Sequence, residues 1–408
     1  MTTAAHQHGR PITRTGTRFI FTGIAALALA TLALMAQTAR AGGVEPDPSR
    51  ASRQLQAALD AAVAGPGSNV VNALASVSAP RLRIEWTGAS GRLDLQASGM
   101  LQPNAPFRIA SITKVFVAAT VFRLMEEHLL GLFDPIARYL STSTAARLRA
   151  GGYDPGRMTI QQLLAHTSGL YNYADDEEFV AAVAASPHRH WTRDEEIDFA
   201  LLHGKPVGKP GERYAYSDTG YLLLGEAIET ITRQSLPRVI REQLDLKHVG
   251  LTATYFETLE PRPRPARLPL AHQFLGATDT SGFDPSFDLY GGGGLVSTTA
   301  DLNRFFRALL RGQVFHDPAT LAASLMTVDT HHREDEHPHA NLLTTWKFGR
   351  RTCWGHRGFW GSEALYCPDA DLAVSVTLNQ ATPTDPQALD TLAAALAAVI
   401  EAQEAHRP

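Results

Sequence analysis

Hydrophobic residues along the chain follow two periods, one helical and one strand-like. Apolar positions recur at helical spacing over 48–63, 111–131, 159–166, 192–203, 217–233, 236–246, 300–311 and the alanine-rich stretch 385–404. Strand-like patterns occupy 81–99, 342–356 and 362–379, and the first of these predicts two strands around a turn at 88–91. Strands therefore lie near both ends of the chain, and helices lie between them.

This order of elements predicts an α+β fold. We expect an antiparallel sheet made from both chain ends, flanked by the terminal helices, with an all-helical lobe inserted between its halves. The sheet-bearing lobe should cover about 45–106 and 336–408, and the helical lobe about 107–335. A chain of 408 residues is long enough for one large domain of two lobes over 42–408.

The first forty-one residues have the pattern of a signal peptide. Three arginines precede an apolar stretch over 19–36, and the small residues Ala39 and Ala41 mark a cleavage-type site directly after it. The alternative is an uncleaved membrane anchor, because this stretch has nearly the length that spans a bilayer. We expect an exported protein, periplasmic or secreted, that contacts a membrane only if this segment is retained.

The charge balance argues against nucleic-acid binding. Lys plus Arg number 37 and Asp plus Glu 41, for a net charge of −4. Removal of residues 1–41 takes away four arginines and no acids, which leaves 33 basic to 41 acidic residues, about −8. Such a chain has no basic excess with which to neutralise phosphates.

Cysteine occurs only at Cys353 and Cys367, too few for a cysteine-built metal module. Strand-like residues flank a turn near Trp360, and a hairpin centred there would set the two cysteines opposite each other, within disulfide reach. Export would favour the bridge. The alternative is a pair of reduced thiols in the core.

Ser111 and Lys114 are the first candidates for chemistry. They stand three residues apart, hence on one helix face, at the start of a buried helical pattern. A lysine in such an apolar setting must be paired or lose its charge, and a neutral amine beside a hydroxyl can act as its base. The alternative is a serine helix cap with a surface lysine.

Other polar residues fit structural roles better. His166 precedes a Thr-Ser-Gly that closes a helix, and Tyr214 fits an aromatic core position. The glycine run 291–294 lacks the Gly-Lys-Ser/Thr of a phosphate loop and predicts a close backbone approach near the site. Four histidines match no metal-ligand spacing, so neither metal nor cofactor is predicted: His331, His332, His337 and His339.

Three short motifs follow one another along the chain. Residues 111–114 (Ser-Ile-Thr-Lys) resemble the Ser-x-x-Lys motif. Residues 216–218 (Tyr-Ser-Asp) resemble Tyr-x-Asn, and residues 356–358 (His-Arg-Gly) resemble Lys/His-Thr-Gly. Together and in this order, the motifs resemble those of the penicillin-recognising serine hydrolases, which include class C beta-lactamases, serine D-Ala-D-Ala carboxypeptidases and related esterases and amidases. The resemblance runs from about 107 to 379, and its specificity comes from the combination of motifs.

The resemblance implies a role for each matching residue. Ser111 would be the acyl-accepting nucleophile, and Lys114 with Tyr216 would transfer protons. His356 would take the place of the third-motif cation, orienting Tyr216 or attracting a substrate carboxylate. Gly358 and Phe359 would lie on the substrate-binding strand, and the backbone N–H groups of Ser111 and Phe359 would form the oxyanion hole.

Two positions depart from the family pattern. Asp218 stands where asparagine is usual, so it loses the amide donor for a substrate carbonyl and could hold Lys114 protonated. Arg357 stands where threonine is common and would either bind a substrate carboxylate or lie in water on the far side of its strand. Both changes argue against efficient beta-lactam hydrolysis more than against acylation of the serine.

The sequence thus favours an exported serine hydrolase that forms an acyl-enzyme at Ser111. The best-fitting activity is that of a D-alanyl-D-alanine carboxypeptidase-like peptidase or esterase, acting on small peptides, peptidoglycan stem peptides or esters. A class C-like beta-lactamase is one alternative. An alternative of another class is a non-catalytic homologue that binds peptidoglycan or a partner. Such a protein would have no need to keep Ser111, Lys114, Tyr216 and His356 together.

Overall fold

The computed structural model describes residues 48–96, 99–328 and 340–405. The predicted signal peptide and the histidines between 331 and 339 lie outside these residues. The helices are α1 (Pro48–Ala64), α2 (Thr113–Glu126), α3 (Thr142–Ala150), α4 (Ile160–Leu164), α5 (Glu177–Ala185), α6 (Arg193–His203), α7 (Asp218–Thr232), α8 (Leu236–Gln243), α9 (Leu246–Val249), α10 (Thr299–Leu310), α11 (Pro318–Ser324) and α12 (Ala388–Ala405). The strands are β1 (Asn72–Ala79), β2 (Ile84–Gly91), β3 (Phe107–Arg108), β4 (Tyr255–Phe256), β5 (Phe274–Leu275), β6 (Thr278–Asp279), β7 (Leu295–Ser297), β8 (Thr344–Phe348), β9 (Arg351–Gly358), β10 (Ser362–Cys367) and β11 (Leu372–Thr377).

A six-stranded antiparallel sheet joins the two ends of the chain, in the order β2-β1-β11-β10-β9-β8. The join is between β1 and β11, where Leu74 lies opposite Thr377. The terminal helices α1 and α12 pack on each other and cover one face through residues such as Leu55 and Leu396. On the other face α10 packs against β1, β10 and β11. The predicted α+β architecture is confirmed.

The prediction of two strands around 88–91 is wrong. The turn lies earlier, at the 3-10 turn Pro80–Leu82, and Arg83 closes it with a φ of 56°. All eight residues of β1 are buried, so the strand has no alternation of apolar and polar positions to reveal it. Gly88 belongs to β2, where a Cβ atom would lie 2.2 Å from the Trp86 ring.

The helical segments follow the prediction more closely. The exceptions are the predicted helix over 236–246, which divides into α8 and α9 at Asp245, and three helices that the periodicity does not reveal, α3, α5 and α11. A side chain caps the start of each of those three: Ser141, Asp176 and Asp317. Within the described residues, no helix combines the length and apolarity needed to cross a bilayer.

The β9–β10 hairpin is centred on Trp360, as the positions of the cysteines predict, with Gly358 opposite Ser362. Cys353 and Cys367 form a disulfide across it, and their Cα atoms are 4.3 Å apart. The bridge closes the end of the hairpin far from its turn. The strand β9 carries residues 356–358, so the hairpin fixes the third motif relative to the sheet.

Candidate active site

Ser111 lies on a 3-10 turn, Ala110–Ile112, that leads directly into α2. Ala110 has a φ of 45°, an unfavourable conformation for a residue with a side chain, and the turn therefore stores backbone strain directly before the serine. Strand β9 passes close by, because Gly358 has no side chain. A Cβ atom there would lie 2.4 Å from the Ile109 carbonyl oxygen. Gly358 thus allows the third-motif strand to approach Ser111.

Lys114 is 1% exposed, and its amine is surrounded by acceptors. Nζ lies 2.9 Å from Ser111 Oγ and 2.7 Å from the Gly292 carbonyl oxygen, and it also donates to the Asp218 carboxylate. An ammonium has three donors, and here each has an acceptor. The geometry is that of a charged Lys114, held by Asp218, with one proton directed at the serine oxygen. The negative charge of Asp218 beside it favours this ammonium over the neutral amine, which would be the simplest base for Ser111.

Asp218 is the first residue of α7 and is 6% exposed. Its backbone N–H donates to Asn172 Oδ1 at 2.8 Å. Gly292 packs directly on the carboxylate, since a Cβ atom there would lie 2.8 Å from Asp218 Oδ1. The predicted close approach of the glycine run is confirmed at this point. Asp218, proposed from the sequence as a substrate-binding residue, uses its carboxylate to hold Lys114.

Tyr216 completes the group around the nucleophile. Its hydroxyl hydrogen-bonds with Ser111, and Lys114 Nζ lies 5.0 Å from the centre of its ring. Burial of the phenol, and next the negative charge of Asp218, raise the pKa of Tyr216 well above its usual value, although the Ser111 hydrogen bond acts in the opposite direction. The phenol is therefore protonated at neutral pH.

His166 supports Tyr216 from the side. The two rings stack with centres 4.2 Å apart. Nδ1 of His166 accepts a hydrogen bond from the Ser217 backbone N–H at 3.2 Å, which puts the ring proton of a neutral imidazole on Nε2. With a φ of 55°, His166 lies on the turn that follows α4. These contacts agree with the structural role predicted for this histidine and assign it the positioning of Tyr216.

His356 and Arg357 are adjacent on β9, but their side chains are used differently. His356 lines the same cavity as Ser111, and its Nδ1 donates to the Arg357 carbonyl oxygen at 2.6 Å, since a carbonyl can only accept. Arg357 Nε donates to Glu363 at 2.8 Å, a second guanidinium nitrogen donates to Asp390, and the group lies 4.1 Å from the Trp346 ring centre.

The contacts of Arg357 leave its guanidinium no place for a substrate carboxylate. The sequence predicts one of two positions for this side chain, either at a substrate carboxylate or in open water. The guanidinium takes neither position, because the carboxylates of Glu363 and Asp390 and the ring of Trp346 surround it. The negative charges of those carboxylates also raise the pKa of Arg357, against the effect of burial. Its role in the structure is to hold the hairpin to α12.

Ser111, Tyr216, Asp218 and His356 open onto a cavity of about 390 Å³. Much of its lining is apolar and includes Phe179, Val180, Val183, Leu275, Phe283 and Phe287. At the rim, Phe359 is 58% exposed and packs edge-on against Trp360, with ring centres 4.9 Å apart. We call the six apolar residues the apolar wall. Its size and chemistry suit a hydrophobic side chain or ring next to the serine.

Sequence reasoning missed Asp288, which also lines the cavity. It ends the 3-10 turn Pro285–Asp288 and packs on the glycine run, where a Cβ atom at Gly293 would lie 2.1 Å from its Oδ1. Burial and the negative charge of Asp218 raise the pKa of Asp288 to about 7, partly offset by Lys114. The one available signal was its position just before four glycines.

The fold therefore brings together Ser111, Lys114, Tyr216 and His356 from three separate segments of the chain. Phe359 and Gly358 lie on the cavity rim as well, whereas Arg357 faces its carboxylate partners. No motif in the sequence predicts the apolar wall or the Gly292 carbonyl group that accepts a hydrogen bond from Lys114. A serine oxygen that contacts both an ammonium and a phenol, beside a largely apolar cavity, can carry out nucleophilic attack on a carbonyl group.

Comparison with known proteins gives relatives that match part of the chain. It is 32% identical over 238 residues to Protein Rv1367c of Mycobacterium tuberculosis, covering 54% of this chain and 57% of the relative. It is 26% identical over 219 residues to Protein flp of Staphylococcus aureus, covering 53% of this chain and 41% of that protein. The chain thus spans about half the length of the curated relatives it matches.

Among solved structures, the fold is similar to that of a D-stereospecific amidohydrolase from Streptomyces sp., with a TM-score of 0.70 and 27% identity over 83% of this chain and 97% of that one. The family model described as Beta-lactamase matches residues 31–399. This match covers most of the chain, includes all three motifs, and agrees with the arrangement around Ser111. The chain belongs to the beta-lactamase family, whose members are serine hydrolases.

Proposed function

We propose that this protein hydrolyses small amides or esters of D-amino acids through an acyl-enzyme on Ser111. The observation that carries the proposal is the pair of contacts on the Ser111 oxygen, one from the Lys114 ammonium and one with the Tyr216 phenol. A non-catalytic homologue would have no use for a buried cation directed at a serine that faces a cavity. The arrangement is instead suited to general acid–base transfer next to a nucleophile.

In the proposed acylation, Ser111 Oγ attacks the substrate carbonyl carbon. Its proton passes to the Tyr216 oxygen, while the Tyr216 proton passes to the leaving nitrogen or oxygen. Because the phenol gives one proton as it receives another, the step needs no free phenolate, in agreement with the raised pKa of Tyr216. Lys114 stays charged and stabilises the negative charge that develops on the serine and tyrosine oxygens.

Deacylation follows the same path in reverse. Water attacks the ester carbon and gives its proton to Tyr216, which returns its own proton to the departing Ser111 oxygen. The product is the free acid, and the enzyme regains its starting protonation state. The backbone N–H groups of Ser111 and Phe359 are proposed to stabilise the oxyanion in both steps, and His356 is proposed to orient Tyr216 from β9.

The choice of substrate class rests on two further observations. A relative at 27% identity is a D-stereospecific amidohydrolase, and the apolar wall offers a hydrophobic side chain a place next to Ser111. The carboxypeptidase activity favoured by the sequence requires an anchor for a terminal carboxylate, and Arg357 is engaged with Glu363 and Asp390. An amidase or esterase therefore fits the site better than a carboxypeptidase.

The test is whether Ser111 becomes acylated. The purified protein is incubated with D-phenylalanine methyl ester, and separately with a penicillin, and its intact mass is recorded with product release. We expect ester turnover and an acyl adduct that Ser111→Ala abolishes and Ser235→Ala, at the start of α8, leaves unchanged. Absence of both adduct and turnover would reject the catalytic proposal. Rapid penicillin turnover would instead favour a beta-lactamase.

We also propose that the protein is exported, on the basis of its N-terminal pattern. The disulfide between Cys353 and Cys367 supports this proposal, because such bridges persist in oxidising compartments. N-terminal sequencing of the protein from its native cells, with cell fractionation, tests it. A mature chain beginning after Ala41 in the periplasm or medium is expected. An intact N-terminus in the membrane fraction would support an anchor instead.

A further inference from the structure

The charged groups around the cavity are almost completely paired. Lys114 is held by Asp218, and Arg357 is held by Glu363 and Asp390. These pairs leave little positive charge for a ligand. Among the described residues that line the cavity, Arg357 is the one lysine or arginine, and its guanidinium is committed to those carboxylates.

The exceptions to this pairing are Asp175, which is exposed, and Asp288, which is partly buried. In the part of the chain that the structure describes, no residue forms a salt bridge or side-chain hydrogen bond with the Asp288 carboxylate. The nearby Arg108 is occupied by Glu257, with Nε 2.6 Å from Oε2 and Nη2 3.1 Å from Oε1. Asp288 is therefore a partly buried cavity carboxylate without a salt-bridge partner, on a turn that packs against the glycine run next to Lys114 and Asp218.

A substrate cation would supply the missing charge. The apolar wall and Asp288 line one continuous cavity with Ser111, so a ligand there meets an apolar surface, a carboxylate and the nucleophile. The lack of a paired cation also agrees with the raised pKa of Asp288, about 7, because burial without a partner disfavours the charged carboxylate. An ammonium bound beside it would restore the charged form and gain a charge-assisted hydrogen bond.

We infer that Asp288 binds the free α-ammonium group of the substrate, so that the enzyme acts on unprotected D-amino acid amides or esters in preference to N-acylated ones. This inference rests on the proposed acyl-enzyme function at Ser111 and specifies its substrate. The apolar wall receives the side chain of the same substrate, and Asp288 is a specificity-determining residue. N-acylated stem peptides lack the ammonium and are disfavoured.

The experiment compares two substrates that differ only in the ammonium: D-phenylalanine p-nitroanilide and its N-acetyl derivative. We expect the wild type to prefer the free amine. In Asp288→Asn, which keeps the shape and removes the charge, the ratio of the two kcat/KM values should fall about 10- to 100-fold, the range for a charge-assisted hydrogen bond. Circular dichroism and the midpoint of thermal unfolding check that the variant is folded.

The matched control is Asp175→Asn. Asp175 also lines the cavity, but it is exposed and accepts a hydrogen bond from Asn172 at 2.6 Å. Its substitution should change the ratio less than about threefold, because exposed charges interact weakly. An equal effect of both substitutions would overturn the assignment to Asp288. It would show that the summed negative charge of the cavity, and no single carboxylate, favours the ammonium. An unchanged ratio in Asp288→Asn would also overturn it.

Binding to the inactive protein separates this inference from the acyl-enzyme proposal. Calorimetry with Ser111→Ala compares D-phenylalanine amide with 3-phenylpropionamide, which lacks the ammonium. Tighter binding of the amine, lost in the double variant with Asp288→Asn, supports the inference even if Ser111 proves not to be acylated. Equal binding of the two amides would reject it even if the enzyme turns over esters.

Discussion

Two cations lie beside the catalytic cavity, and they have opposite surroundings. Lys114 is buried, and one of its three acceptors is the nucleophile itself. Arg357 lies on β9, with its charge divided between Glu363 and Asp390 and its flat face on Trp346. Both residues fall within motifs that suggest substrate chemistry. The partners of each side chain decide which of them takes part.

The difference shows what an aspartate in the second motif does to the site. Asp218 gives Lys114 a permanent counter-charge, so the lysine acts as a fixed positive charge and the mobile protons belong to Ser111 and Tyr216. On β9, the carboxylates of Glu363 and Asp390 have the same effect on Arg357, at a distance from the serine. Paired in this way, Lys114 can stabilise negative charge that develops during the reaction, whereas Arg357 holds the hairpin to α12.

The largest expected effect comes from removing the first cation. Lys114→Met should lower kcat/KM for ester hydrolysis by about 10³-fold or more, because the charge opposite the developing oxyanions is lost. It should also lower the free energy of unfolding by about 3 kcal/mol, since Asp218 is left buried and unpaired. Stopped-flow acylation and urea unfolding measure the two effects.

A double variant separates the effects of Lys114 on catalysis and stability. Adding Asp218→Asn to Lys114→Met should restore most of the stability and none of the activity. If activity returned with stability, Lys114 would be structural, as Arg357 is, and the contrast between the two cations would fail.

Tyr216→Phe tests the proton path with a smaller change. The ring and its stacking on His166 remain, so we expect kcat to fall about 10²- to 10⁴-fold, the usual range for loss of a general acid–base, and KM to change little. Tyr214→Phe is the matched control, since Tyr214 also lines the cavity and packs edge-on to His166 at 5.9 Å. Near-normal activity in Tyr216→Phe would show that the serine proton goes elsewhere.

The contrast between the cations also marks the limit of prediction from sequence. The motifs place Ser111, Lys114 and Tyr216 together because each has a fixed position in a known family, and the apolar periodicity predicts most helices. The contacts of Arg357 depend on a residue across a hairpin and another on α12, which no local pattern encodes. Strand β1 was missed for a related reason, because its complete burial results from the packing of whole layers.

Substitution of the second cation should affect stability more than activity. Arg357→Met should lower the free energy of unfolding by about 2 kcal/mol, because Glu363 is 3% exposed and loses its ionic partner. The contact with Asp390 on the surface contributes less. We expect kcat/KM for a neutral ester to stay within about threefold of the wild type. A selective loss on a substrate ending in D-Ala-D-Ala would restore Arg357 as a carboxylate anchor.

The last expected effect concerns the carboxylate of Asp288, which has no salt-bridge partner, and it depends on pH. Its pKa rises from 3.8 to about 7 on folding, so the folded protein binds the proton more tightly than the unfolded chain does. The free energy of unfolding should therefore fall by about 3 kcal/mol as pH rises from about 4 to 7, since one unit of pKa shift corresponds to about 1.4 kcal/mol. Asp288→Asn cannot titrate, so its stability relative to the wild type should increase across the same window in urea unfolding.

A bound ligand gives a second test of the same prediction. In the Ser111→Ala protein, saturating D-phenylalanine amide should reduce the fall of the free energy of unfolding between about pH 4 and 7, because the bound ammonium favours the charged carboxylate. A stability difference that does not change with pH would mean that Asp288 is already paired, as Asp218 is.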